Sequence, residues 1–184
     1  YQIYHSIYGG SLEDRLNNMV VSGEYVYASG RTGSEGAGGF DSILMKFNRY
    51  NMGLVARRIY GGAGNDQAPE IYVDNDHVYT VGWTYSAGGG ESDGWVIKYN
   101  KSDLAVIDKK FYGGAAADTF QDLAADSDYL YITGAVASQG QGGSDIVLIK
   151  YRKSDLSIVA SKLYGGSGSE SGSAIEIDQN YIYV

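Results

Sequence analysis

The chain has 184 residues, a formal net charge of −8 at pH 7, 27 glycines, 18 tyrosines, one proline and no cysteine. The acidic balance argues against nucleic-acid and anionic-membrane partners, which need a basic face. No cysteine means no disulfide or thiolate metal site, and no apolar run approaches the roughly 20 residues of a membrane-inserted helix.

Residues 1–8 read as a strand whose counterparts are 53–60, 105–112 and 157–164. These copies carry Arg57, Arg58, Lys109, Lys110 and Lys162, as a sheet edge protected against edge-to-edge pairing would. Each ends in Tyr-Gly-Gly, at 8–10, 60–62, 112–114 and 164–166, a spacing of 52 residues. An acid stands four residues past the second glycine: Asp14, Asp66, Asp118 and Glu170. Glycines relieve the turn, and the acid is expected to brace it by accepting backbone N–H groups. Four such acids in register also raise a Ca²⁺ reading, since Ca²⁺ takes several oxygen ligands. Residues 61–66 fit one copy of a calcium-repeat pattern, but tandem copies nine residues apart are missing.

A second strand is expected over 16–21, 70–74, 121–125 and 173–178, then a tight polar turn, then a third at 25–27, 78–80, 129–131 and 181–183. Alternating aromatic and β-branched residues mark the third. A glycine- and serine-rich loop follows, closing on Asp41, Asp93 or Asp145, again read as bracing acids. The fourth strand, 43–47, 95–99 and 146–151, is almost continuously apolar, as in a strand covered on both faces. Lys46, Lys98 and Lys150 sit in matched phase at or near its end.

Four antiparallel strands per 52 residues predict an all-β fold, the four-stranded antiparallel blades of a β-propeller. The repeat units are 1–52, 53–104, 105–156 and a partial 157–184, about three and a half blades of an incomplete propeller. A fourth repeat would need 24 more residues, so the ring is expected to be completed by further blades of the same or another chain, or by protein partners.

The order Tyr-Gly-Gly-x-x-x-Asp, Tyr-Val-Tyr-x-x-Gly, Gly-Gly-x-Asp and an apolar run ending in Lys resembles secreted archaeal and bacterial β-propeller repeat proteins, often called SBBP-type repeats. The resemblance spans the whole chain. It departs from the pattern at Glu170 and at the loop ends, Gly-Gly-Phe-Asp at 38–41 against Ser-Asp-Gly at 92–94. It implies an extracellular or cell-surface location and a part in a larger surface or secreted assembly.

No catalytic constellation stands out. His5 and His77 are not repeated, and the glycine-rich loop at 33–39 lacks the helix N-terminus of a phosphate cradle. Asn100-Lys101-Ser102 is a glycosylation sequon in a turn. Function is sought where the repeats differ. Trp83, Tyr85 and Glu91 are the candidate ligand-binding residues, an aromatic group beside a carboxylate suited to a sugar or a protein; the alternative for Trp83 is packing between blades. Trp95 is expected in the core. The expected function is a non-catalytic scaffold or protein-interaction module. The alternatives are a glycan-binding domain and a lyase or glycosidase working through paired carboxylates.

Overall fold

The computed structural model describes residues 7–184. It is all β, and none of the described residues is helical. Three antiparallel sheets of four strands follow one another in chain order. The first contains β1 (Asp14–Ser22), β2 (Tyr25–Thr32), β3 (Asp41–Asn48) and β4 (Leu54–Tyr60). The second contains β5 (Asp66–Val73), β6 (His77–Thr84), β7 (Asp93–Asn100) and β8 (Val106–Tyr112). The third contains β9 (Asp118–Ala125), β10 (Tyr129–Val136), β11 (Asp145–Arg152) and β12 (Ile158–Tyr164). A two-stranded piece, β13 (Glu176–Ile177) and β14 (Ile182–Tyr183), ends the chain. The sheets are consistent with propeller-like blades, and the described residues do not close a ring.

Each sheet begins at the acid after Tyr-Gly-Gly and ends at the next tyrosine of that tripeptide, so it crosses the boundary of the 52-residue sequence unit. The strand expected over 1–8 lies mostly outside the described residues; Ile7 and Tyr8 are not in a strand. The strands expected over 173–178 and 181–183 shrink to the two-residue pair β13–β14.

The first strand of each sheet carries a feature the period hides. β1, β5 and β9 each contain a bulge, with register shifts at 16–18 in β1, 67–70 in β5 and opposite 133–134 in β9. A bulge leaves an N–H outside the ladder. In each strand a polar side chain takes the adjacent one: Asn18 accepts from Met19 N–H (2.6 Å), Glu70 from Ile71 N–H (2.9 Å) and Asp122 from Leu123 N–H (2.8 Å). Gly30, Gly82 and Gly134 lie opposite, where a Cβ would overlap the carbonyl of Arg15, Gln67 or Thr119.

The core lies between sheets. One cluster joins Tyr27 and Leu44 of the first sheet to Trp95, Ile97 and Tyr99 of the second. Another joins Tyr79, Val81 and Val96 of the second to Phe120, Ile149 and Tyr151 of the third. Strands β3 and β7 are buried on both faces, as their apolar run predicts, whereas β11 alternates between buried and half-buried. Trp95 is fully buried. The cationic strands β4, β8 and β12 are the exposed outer edges.

Candidate functional site

The repeated polar residues converge at the joints between sheets. In each Tyr-Gly-Gly turn the second glycine donates its N–H to the following acid, Gly10 to Asp14, Gly62 to Asp66 and Gly114 to Asp118, all at 2.8 Å. Gly166 donates to Glu170 at 3.2 Å. The same acid ties the turn to the long loop of its own sheet. Asp14 accepts Ser34 Oγ–H at 2.7 Å and Asp66 accepts Ser86 Oγ–H at 2.6 Å. Thr32 and Thr84 hydroxyls donate to the other carboxylate oxygen. The third sheet has Val136 where those threonines stand, and Asp118 instead takes the N–H groups of Ala137 (2.9 Å) and Ser138 (3.1 Å).

The second acid series closes the long loops. Asp41 accepts Ala37 N–H (2.9 Å), Asp93 accepts Gly89 N–H (3.0 Å) and Asp145 accepts Gln141 N–H (2.8 Å). The two series then meet pairwise across each joint. Asp41 of the first sheet and Asp66 of the second face the two sides of Gly61, so closely that a Cβ on that glycine would overlap both carboxylates. Gly113 is held in the same way by Asp93 and Asp118, and Gly165 by Asp145 and Glu170. Beside each pair a backbone bond crosses the joint: Asp66 N–H to Phe40 O (2.6 Å), Asp118 N–H to Ser92 O (2.7 Å) and Glu170 N–H to Ser144 O (2.7 Å).

Electrostatics follow from this packing. Asp14 is held down to about 2 by the Thr32 and Ser34 hydroxyls and Gly10 N–H. Asp41 and Asp93 are pushed above the ordinary carboxylate range, chiefly by burial, with the Asp66 and Asp118 charges adding to it against the loop N–H groups.

At the opposite end of the sheets two of the matched lysines, Lys46 and Lys98, bridge to the next sheet. Buried Lys46 reaches the carbonyls of Lys101 and Ser102 in the β7–β8 hairpin, each at 3.0 Å, and lies 4.2 Å from the Tyr25 ring centre. Lys98 repeats this toward Lys153 O at 2.9 Å. Lys150 lies 3.8 Å from the Tyr129 ring centre. A cleft of about 680 Å³ opens beside Lys46, lined also by Tyr25, Asp76, His77 and Lys101. His77 therefore sits at the tight-turn end, away from the long loops, 3.7 Å from Asp74.

Trp83 is half-buried on β6, while Tyr85 and Glu91 are exposed in the long loop of the second sheet. The principal clefts do not gather these three residues. Among the described residues no group of three or more His, Asp or Glu side chains is placed to share a metal ion. The serine 20 residues after each acid (Ser34, Ser86, Ser138) escaped the sequence reading, though its fixed spacing in three repeats is a usable signal. No protein-family model matches the chain, and no curated protein matches it.

Proposed function

We propose that the three sheets are blades of a β-propeller and that the module is a non-catalytic scaffold or protein-interaction unit of an extracellular or surface assembly. The observation that carries this reading is where the repeated polar groups go. The acids that recur in register, with Lys46 and Lys98, are committed to turns, loops and joints. Chemistry that recurs once per blade and is engaged by backbone partners serves architecture. The neighbouring inner strands and charged outer edges suit a radial arrangement. The location is carried by the resemblance to secreted repeat proteins.

One observation favours a second reading, a glycan-binding face on the long loops: Tyr85 is 54% exposed there, in the same loop as Glu91. The protein should be screened against a glycan array and a panel of polysaccharide substrates. The scaffold reading expects neither binding nor turnover. Saturable sugar binding that Tyr85→Ala abolishes, with the β-sheet spectrum unchanged, replaces it with the glycan reading. Turnover of any polysaccharide replaces it with the enzyme reading.

A further inference from the structure

The hairpin between β7 and β8 differs from its two counterparts in its opening tripeptide. It reads Asn100-Lys101-Ser102, where the first sheet has Asn48-Arg49-Tyr50 and the third Arg152-Lys153-Ser154. Of the eight asparagines in the sequence, Asn100 is the one followed two residues on by serine or threonine. With no proline between them, a tripeptide of this form is an acceptor for an N-linked glycan in an exported protein.

The turn holds the tripeptide in a defined arrangement. Asn100 N–H donates to Ala105 O at 2.8 Å, and Leu104 N–H donates to Asn100 O at 2.9 Å. Asn100 Oδ1 accepts from Ser102 twice, from its N–H at 2.8 Å and its Oγ–H at 2.7 Å. The counterpart Asn48 Oδ1 accepts the N–H groups of Tyr50 and Asn51, and no hydroxyl takes part. Lys101 is drawn into the joint between the first two sheets. Its N–H goes to Asp76 O at 3.0 Å, and its ammonium group goes to Ser22 Oγ at 2.9 Å and to Asp74 O. The Asn100 side chain is left exposed, and among the described residues its Nδ2 donates no hydrogen bond. The fold therefore uses the backbone and Oδ1 of this residue. A substituent on Nδ2 preserves all of these bonds, because the substituted amide keeps its carbonyl oxygen.

Space is available as well. Asn100 lines the cleft of about 680 Å³ between the first and second sheets, together with Glu24, Tyr25, Asp76 and Ser102. A tyrosine ring beside carboxylates and a hydroxyl suits the mixed apolar and polar faces of a sugar attached at its edge.

We propose that Asn100 is an N-glycosylation site; the proposal rests on the extracellular reading. The donor is a glycan activated as a glycosyl phosphate or diphosphate. Asn100 Nδ2 attacks its anomeric carbon. The C–N bond forms as the C–O bond to phosphate breaks, the phosphate leaves with the bonding pair, and one Nδ2 proton passes to a base of the transferring enzyme.

The native protein is collected separately from the medium, the cell surface and the cytoplasm of the cells that make it. Cleavage before aspartates releases residues 93–102, in which Asn100 is the sole asparagine. Fragmentation mass spectrometry then places any added mass. A glycan on Asn100 of the exported protein is expected, lost in Ser102→Ala and kept in Ser102→Thr. Exported protein with Asn100 unmodified overturns the proposal. So does a sugar placed on Ser102, or one on Asn100 that survives Ser102→Ala. Protein confined to the cytoplasm overturns the extracellular reading and the proposal with it, so the fraction that holds the protein tells the two failures apart.

Discussion

Phe120 occupies the space that the absent side chain of Gly94 leaves, so the joint between the second and third sheets is a large residue seated on a bare backbone. Filling the gap should be costly. Gly94→Ile overpacks it and is expected to destabilise by about 1–3 kcal/mol, while Phe120→Ala leaves a cavity and should cost about 3–5 kcal/mol. The double variant imitates the Ile146–Gly172 pairing, so the two changes should couple favourably, by about 0.5–3 kcal/mol. Urea titration of the four proteins measures the coupling. Simple additivity would mean that size matching does not hold this joint.

Gly61 offers a sharper contrast within one motif. Gly61→Ala drives a methyl into Asp41 and Asp66 together and should cost about 1–3 kcal/mol. Gly166→Ala meets open space and should be neutral or gain up to about 1 kcal/mol. Equal thermal midpoints for the two variants would show that the carboxylates yield freely.

The carboxylates at the joints respond to pH in opposite senses. Asp93 is raised in the folded chain, so its contribution is complete below about pH 4 and is lost as pH rises through the folded value. Asp14 is lowered to about 2, so its contribution is present above about pH 4 and is lost as pH falls toward 2. Asp93→Asn, which keeps an acceptor for Gly89 N–H, should flatten the fall in stability above pH 4. Asp14→Asn should flatten the fall below it. Denaturation midpoints from pH 2 to pH 8 decide the matter, and unchanged slopes in both variants would remove these groups from the account.

Lys98 bridges to Lys153 O from a buried position, and its removal strands that carbonyl. Lys98→Met should cost about 1–3 kcal/mol. Lys150→Met, at a half-buried position over Tyr129 and Tyr131, should cost less. Hydrogen exchange at the 152–157 hairpin should rise in the Lys98 variant alone; equal rises would place the effect elsewhere.

Much of this architecture was legible because Tyr-Gly-Gly and its acid act as a ruler. The strand order, the cationic outer edges and the doubly covered β3 and β7 all follow from periodicity and apolar runs. What the ruler hid is equally physical. A bulge repeated in the first strand of every four-stranded sheet adds its extra residue without disturbing the period, so β1, β5 and β9 read as regular strands. Period also fixes spacing within a repeat but says nothing of which residues face each other across a joint. Asp41 and Asp66 lie 25 residues apart in unlike surroundings, and only packing shows that they clasp one glycine. Trp83, Tyr85 and Glu91 stand out by failing to repeat, yet differing from neighbouring repeats does not by itself bring side chains together.

Unequal joints also bear on how such a chain avoids knotting its own assembly. Near-identical units invite exchange, in which one sheet docks where its neighbour belongs and the chain is trapped out of order. Gly94 faces Phe120, whereas Ile146 faces Gly172. Transposing the partners would set isoleucine against phenylalanine in one joint and leave a void between two glycines in the other. Misordered chains are thus penalised twice, and the small departures from perfect repetition act as a proofreading device for folding.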